Sequence, residues 1–545
     1  MSAVNRNHRW RWLTGGAVAL SLLAFLLLIA LLAWSGVRYF WPQPVTLFTL
    51  NNGQQMLGEL TSSQSISRER LQASGAPLPE KLPEQVTRYL IKTGNRDFSD
   101  SDFHSLLSSD IRVSARPGDV IALQRRVGGM AYGWFEGLRD NGRPLVAANM
   151  MRELQLRIKE TRQRQQRAEK IRHVAMAQLN GEMEQLEHRR QRLQQEQSYT
   201  PQAQSIWQAD SAEIQRRFRQ QAQELAGLSR ENDGTELILR DVAGERHVIP
   251  LTQILAAWYP NAMGYGDKWH HFGQQLWRFV SGASGGSLGE DGVFPAIFGT
   301  VLMVLLMSIV VMPLGVVAAI WLHEYAGNSL MTRLVRIAVV NLAGVPSIVY
   351  GVFGLGFFVW LVGGSLDKLF FAQALPDPTF GTPGLLWASL TLALLTLPVV
   401  IVATEEGLSR IPRSLRQGSL ALGATQAETL WHVVLPLSVP AMLTGLILAV
   451  ARAAGETAPL MLVGVVKMVP ELPVDTVFPY LHLDRKFMHL GFQIYDLAFQ
   501  NPHAQADRPL VFATALLLVL IILALNLLAM VLRHRLRERY RALIN

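Results

Sequence analysis

The chain of 545 residues has no cysteine. This excludes a disulfide framework, thiolate-held zinc or iron–sulfur clusters, and a cysteine nucleophile. No G-x-x-x-x-G-K-[ST] stretch occurs, so the chain does not bind ATP on a Walker loop. His323-Glu324 lacks the second histidine of a metalloprotease helix, and His270-His271 reads as a surface pair rather than a metal site. No serine, histidine and acid grouping stands out, and the reading is a protein that is not an enzyme. Charge is scarce too, at 17% against 49% hydrophobic residues. The formal balance of +9 is not gathered into the basic face that nucleic acid requires, so no nucleic-acid partner is expected.

A mean hydropathy of +0.18 is an average over two unlike parts. Between Arg38 and Asp291 lie 32 Lys/Arg and 29 Asp/Glu, while the rest of the chain holds 19 and 13. Six runs in the charge-poor part are long enough to cross a bilayer as helices: 13–34, 293–322, 337–366, 384–404, 437–466 and 509–532. The first, with no small-x-small cleavage site before Arg38, reads as an uncleaved anchor. Counting Lys/Arg in the short loops gives thirteen on the side of the N-terminus, including Arg333, Arg336, Arg410, Arg413 and Arg416, against five on the other. Both termini, 1–12 and 533–545, are therefore expected in the cytoplasm, and the polar block 35–292 outside, in the periplasm if the cell is Gram-negative.

Residues 38–148 read as β-rich, with hairpins at Asn52-Gly53 and Gly128-Gly129 and a turn signal at Asn141-Gly142. Residues 236–251 read as a returning hairpin around Gly244. Between them, 149–232 is Gln- and Arg-rich, and the spacing of Ile158, Ile171, Leu179 and Leu186 predicts an antiparallel coiled-coil hairpin turning near Thr200-Pro201. Its charge reads as a solvated face with i,i+4 pairs in preference to a docking arm. The glycine-rich stretch Ser281 to Gly292 reads as a flexible connector rather than an anion cradle.

Inside the apolar runs, Arg452 and Glu456 are the only ionisable residues. At i,i+4 they share one helical face. Each costs about 2.5–3.5 kcal/mol at mid-bilayer even on a lenient scale. A wet or protein-lined interior is implied, either a path for an anionic solute or a structural ion pair; the former reading is preferred. Arg452 offers fixed charge and a bidentate fork suited to a tetrahedral oxyanion, and Thr457 and Ser347 add hydroxyl donors. Pro459 is expected to disturb the helix beyond Glu456. Before this run, the cytoplasmic loop 405–436 reads as two short amphipathic helices hinged at Gly423 and stopped at Pro436, exposing Leu422 and Trp431 to a soluble partner or to lipid.

That loop resembles the coupling loop of permease subunits of ATP-binding-cassette importers, in which Glu-Ala-Ala, three residues, Gly, nine residues and Ile-x-Leu-Pro follow one another. Gly423, Val433, Leu435 and Pro436 are in register, while Gln417, Gly418 and Ser419 stand where the family has Glu-Ala-Ala. Three further stretches narrow the resemblance to the PstA-type permeases of phosphate importers: Ala451 to Leu460, with Gly455-Glu456-Thr457-Ala458-Pro459 at its centre, Gly344 to Leu355, and Gly491 to Ala498. The resemblance covers the first span and about residues 290–545, not the interior of the polar block. It implies a type I importer permease fold of six transmembrane helices, here with an α+β periplasmic insertion, in an inner membrane. It also implies translocation of phosphate and a heterodimer with a second, PstC-like permease. Two PstB-like ATPase subunits would carry the ATP and Mg, leaving no cofactor on this chain, and a PstS-like periplasmic phosphate-binding protein would deliver the anion. Phosphate rather than sulfate or molybdate follows from the resemblance, not from the arginine. A permease for another oxyanion, or a membrane scaffold that signals through an ATPase, are the alternatives.

Overall fold

The computed structural model describes residues 2–67, 85–94, 101–126, 128–195, 200–282, 292–327, 329–371, 378–469, 471–475, 480–500 and 508–542. Two units emerge: a polar one, Phe40–Gly292 with Asp475–Tyr480, and an apolar one, Met1–Tyr39, Val293–Val474 and Leu481–Asn545.

The polar unit holds two antiparallel sheets. In the first, β1 (Val45–Leu50), β2 (Gln55–Ser67), β3 (Gln85–Lys92), β4 (Phe103–Leu107) and β5 (Ile111–Ala115) lie in the order β4-β3-β2-β1-β5. In the second, β6 (Val120–Arg125), β7 (Met130–Asp140), β8 (Arg143–Leu145), β9 (Thr235–Arg240), β10 (Arg246–Pro250) and β11 (Ile254–Trp258) run β10-β9-β7-β6-β11, with β8 paired to β7. The Asn141-Gly142 turn between β7 and β8 has both central residues at positive φ, 49° and 78°, the combination a tight two-residue hairpin demands. Strand β6 is buried on both faces. Ile121 and Leu123 join a cluster with Ala131, Leu138, Leu237 and Leu239, while Val120 and Ala122 pack with Val45, Leu57, Tyr132 and Trp258. An apolar run without alternation is the signature of that position.

The arm leaves after β8 as a helix over Met150–Lys170, passes through a wide π turn at Ile171–Ala175, and continues over Met176–Gln195. Asn149 caps its start, accepting from the Arg152 N–H. The return helix Pro201–Asp233 is capped by Thr200, at the expected turn; residues 196–199, and 283–291 of the glycine-rich stretch, lie outside the described residues. Ion pairs Arg164–Glu231 (3.4 Å), Arg167–Glu224 (2.6 Å) and Arg217–Glu182 (2.8 Å) cross between the helices in antiparallel register. The base of the arm belongs to the β-core. Leu154 and Ile158 are buried in the cluster of β6, β7 and β9, and Gln165 Nε2 donates to the Thr252 carbonyl at 2.9 Å. The histidine pair is also corrected: His270 is exposed, but His271 is buried with its ring centroid 4.4 Å from that of Trp258.

Among the described residues of the apolar unit, six helices have the length and composition to cross a membrane: Trp12–Phe40, Phe294–Tyr325, Ser347–Phe370, Leu385–Ser409, Gln426–Gly455 and Arg508–Arg535. The fourth is central, with 67% of its apolar window buried against 0% for the first and last. Met303, Met307 and Val311 of the second span, Leu385, Leu392 and Val400 of the fourth, and Ala449 and Ala453 of the fifth form one core. Small residues set the close approaches. A Cβ on Gly407 would lie 2.2 Å from that of Ala441, and one on Gly445 would lie 2.9 Å from that of Ala403, so the fourth and fifth spans pack backbone to backbone.

Two spans differ from expectation. The run 337–366 is not one helix: Leu330–Leu342 ends, Gly344-Val345-Pro346 intervenes, and a new helix starts at Ser347. Pro346 has no N–H and drives Val345 out of the helical region. The Tyr350 hydroxyl donates to the Leu342 carbonyl at 2.7 Å, satisfying an acceptor that the break leaves open. The run 437–466 likewise divides. Its helix ends at Gly455, Glu456 is extended with ψ 127°, and only a short turn at Leu460–Val463 follows.

Candidate functional site

Arg452 sits in the last turn of the helix Leu435–Gly455, where a cation complements the helix dipole. Glu456 is the residue after that helix, so the shared face expected of the pair does not exist as such. The pair forms nonetheless, Arg452 Nε to Glu456 Oε1 at 3.6 Å, both side chains partly exposed at 33% and 22%. Both charges thus lie partly exposed at the broken end of an apolar helix.

The three stretches that carry the family resemblance meet here. A Cβ on Gly351 would lie 2.7 Å from Pro459 Cα, so the third span rests directly on the Gly-Glu-Thr-Ala-Pro turn. A Cβ on Gly491 would lie 2.4 Å from Thr457 Oγ1, which brings the helix Leu490–Tyr495 onto the same turn. Ser347 opens the helix that carries Gly351. Among the described residues it makes no hydrogen bond to Arg452 or Glu456, so the structure does not join it to the pair.

Sequence reasoning missed a polar group beside this turn. His489, Gln493 and Asp496 are buried to within 2% of complete, and the only ion-pair partner of the Asp496 carboxylate among the described residues is Lys467 Nζ at 3.2 Å. His489 Nδ1 accepts from the Gly491 N–H at 3.1 Å, and the Leu490 N–H donates to Thr300 Oγ1 of the second span at 3.0 Å. Lys467 is one of the five Lys/Arg of the short loops on the side away from the N-terminus. Its pairing joins residues 29 apart, which no local pattern reveals. Asp367 was missed as well. Its buried carboxylate ends the third span and accepts from the Phe380 N–H at 2.8 Å and the Gly381 N–H at 2.6 Å, clamping the following loop.

At the other end of the fifth span, the helix Arg413–Ala421 carries Gln417 and Gly418 exposed and Ser419 half-buried. Gly423 turns the chain at φ +88°, and Thr425 and Glu428 form a reciprocal cap, Thr425 N–H to Glu428 Oε2 at 2.8 Å and Glu428 N–H to Thr425 Oγ1 at 3.2 Å. Ser419 Oγ lies 2.9 Å from Thr429 Oγ1 across the turn. The second helix does not stop at Pro436. It runs on from Gln426 to Gly455, with a π turn over Leu430–Val434 ahead of the proline, so Val433, Leu435 and Pro436 are residues of the fifth span itself. Leu422 and Trp431 are 91% and 69% exposed. Arg416 ties the loop to the end of the second span, with Nη1 2.9 Å from Glu324 Oε1, and Arg336 Nη2 meets Glu405 Oε1 at 2.6 Å.

Among the described residues one group has metal-ligand geometry, Asp241, Glu245 and His247 at the β9–β10 turn. There Asp241 accepts from the Glu245 N–H at 2.8 Å and lies 2.9 Å from His247 Nε2, contacts that serve the turn.

Six apolar helices among the described residues, a helical loop turning at a positive-φ glycine and a partly exposed Arg452–Glu456 pair define a multi-pass membrane protein. Residues 312–542 match the family described as "Binding-protein-dependent transport system inner membrane component". The phosphate transport system permease protein PstA 1 of Mycobacterium tuberculosis is 34% identical over 251 residues, 46% of this chain and 72% of that relative. The probable PstA of Methanocaldococcus jannaschii is 30% identical over 44% of this chain and 75% of its own, and the PstA of Yersinia pestis 33% identical over 44% and 72%. The chain belongs to this family of PstA-type ABC permeases. Among solved structures, the MetNI methionine ABC transporter in an inward-facing conformation aligns over 48% of this chain and 98% of its own, at 17% identity and a TM-score of 0.31.

Proposed function

We propose that this chain is the PstA-type permease subunit of an ABC importer that carries inorganic phosphate across the inner membrane, both termini lying in the cytoplasm. ATP hydrolysis is supplied by a separate pair of ATPase subunits, which hold the nucleotide and Mg; a second, PstC-like permease completes the path, and a periplasmic phosphate-binding protein delivers the anion. One observation carries the reading: the turn with Arg452, Glu456 and Thr457 is the meeting point of the third span and the Leu490–Tyr495 helix. Arg452 attracts the oxyanion and offers paired donors, Thr457 adds a hydroxyl, and Glu456 orients the guanidinium and opposes permanent capture of the anion. Ser347, at the start of the neighbouring helix, is assigned to the same path. The loop of Gln417, Gly418, Ser419 and Gly423 supports docking on the ATPase through exposed Leu422 and Trp431, and Val433, Leu435 and Pro436 carry its motion into the fifth span.

The test is uptake of labelled phosphate, together with phosphate-dependent ATP turnover, by the assembled complex in vesicles. Uptake that needs ATP and the loaded receptor, and that excess sulfate or molybdate does not displace, is the expected result. ATP turnover coupled to no solute, or uptake competed equally by sulfate, overturns the reading.

A further inference from the structure

The polar unit contains a cleft of about 790 Å³ walled by the base of the arm, β11 and the helix Tyr265–Ser281. Three cations open onto it, Lys159, Arg162 and Arg278, against one carboxylate, Asp267, whose Oδ2 already accepts from the Gly264 N–H at 3.2 Å. Arginines elsewhere on the same arm helix are neutralised: Arg157, Arg164 and Arg167 each meet a glutamate. Among the described residues neither Arg162 nor Arg278 has a carboxylate within ion-pair distance.

Arg278 is held rather than loose. Its Nη1 donates to Gln124 Oε1 at 3.0 Å, Gln275 Nε2 donates to the same oxygen at 3.1 Å, and Gln124 is fixed in β6 opposite Met130. Burial and the nearby charge of Arg162 push the Arg278 guanidinium down to about 10, a strain that a bound anion would relieve. His271 adds no charge. Burial, then Arg278 and His270, push it down to about 4, so at neutral pH it offers an uncharged ring against Trp258. The remaining wall is mixed aliphatic and polar, and Tyr259 and Trp277, the latter 72% exposed, add aromatic faces to it. A bare tetrahedral anion fills only a fraction of this space, and clefts of about 300–1,000 Å³ are those that take small organic ligands.

We propose that this cleft binds a small organic phosphate ester, its phosphoryl group held between Arg162 and Arg278 and its organic body laid against Trp277 and Tyr259. Two guanidinium groups match the charge and the bidentate geometry of a phosphoryl dianion, and the aromatic faces supply area for the attached group. The proposal does not rest on the transport reading, since every lining residue belongs to the polar unit.

The test is calorimetric titration of the full chain in lipid nanodiscs, free of ATPase, with phenyl phosphate and with inorganic phosphate. Phenyl phosphate is expected to bind saturably and about tenfold or more tighter than inorganic phosphate. Arg162→Gln and Arg278→Gln should each weaken it about tenfold, while Arg172→Gln on the distal arm leaves it unchanged. Trp277→Ala should weaken phenyl phosphate and leave inorganic phosphate unaffected. Circular dichroism and melting of each variant show that the fold is kept, and Arg162, whose side chain is exposed, serves if the Arg278 variant does not fold. No saturable binding of phenyl phosphate, unchanged affinity in a folded Arg162→Gln protein, or equal affinity for both probes overturns the proposal.

Discussion

Arg452 and Glu456 face each other at 3.6 Å across the end of a helix, the arginine in its last turn and the glutamate one residue beyond it. The guanidinium is thus held by a residue whose own backbone is extended, at the point where two other elements converge. If the arginine guides the anion, Arg452→Ala abolishes phosphate uptake while the protein stays at wild-type levels in the membrane. Arg452→Lys, which keeps the charge and loses the fork, retains a fraction, about a tenth or less. Normal uptake by an abundant Arg452→Ala protein refutes the assignment, and loss of the protein itself marks the pair as structural.

Gly423 has φ +88° with open space around the position of a Cβ, so the backbone alone forbids a β-branched residue there. Gly423→Val should cost about 1–2 kcal/mol locally and disconnect ATP turnover from uptake without changing receptor affinity for phosphate. Single cysteines placed at Gln417 or Leu422, in a chain that has none of its own, should crosslink to the ATPase subunit; labelling of these positions from outside intact cells contradicts the topology.

Asp367 satisfies two backbone N–H groups of the loop after the third span. Asp367→Ala leaves both without their acceptor and should destabilise the apolar unit by about 2–4 kcal/mol, with Asp367→Asn intermediate. Thermal unfolding of the purified protein measures this. An unchanged melting temperature for the alanine variant shows that the clamp contributes nothing.

Glu59 gives the polar unit a pH dependence. Burial pushes its carboxyl up to about 7, against the opposing pull of Lys92 and Tyr132. A folded value above the unfolded value of 4.5 means that the folded state retains a proton which the unfolded chain releases. The corresponding stability is fully present below about pH 4.5 and is lost as pH rises through 7. Glu59→Gln should therefore raise stability at pH 8 by about 2–3 kcal/mol relative to the parent and leave it unchanged at pH 4. An equal effect at both pH values contradicts the assignment.

The arm divides into a base that the sheets require and a distal part that they do not. Removing all of 149–232 takes Leu154 and Ile158 out of the β-core, at about 2–5 kcal/mol each, and should unfold the polar unit. Replacing 172–222 with a short Gly/Ser linker should leave a folded, membrane-inserted protein with appreciable phosphate uptake. Background uptake by a well-assembled distal truncation places the arm within the transport cycle.

The hairpins at Asn52-Gly53 and Asn141-Gly142 are legible because turn chemistry is local, and six apolar runs are legible because a bilayer imposes length. Strands β3, β4 and β5 were covered only by a general β-rich reading, and β11 not at all. Each is five to eight residues long, too short for its pattern to stand out alone, and only pairing with a neighbour identifies it. The break before Ser347 was written in Gly344-Val345-Pro346, yet hydropathy alone runs straight through it. Arg452 and Glu456 stood out because charge is conspicuous in an apolar run, while Thr457 was singled out only as a hydroxyl beside them. Asp367 and Asp496 were not, because each lies outside the apolar runs and its meaning depends on a distant donor or cation.

The continuity of the helix from Gln426 to Gly455 has a mechanical consequence. Its 30 residues make a strut of about 45 Å with the Gly423 elbow at its foot and Arg452 near its tip. With no loop between them, a tilt of about 5° imposed at the foot sweeps the tip sideways by about 4 Å. The slack in such a lever resides in the wide turn at Leu430–Val434 and the prolines at 436 and 440, so stiffening that stretch should lengthen the throw while loosening it should blunt the stroke before it reaches the charged pair.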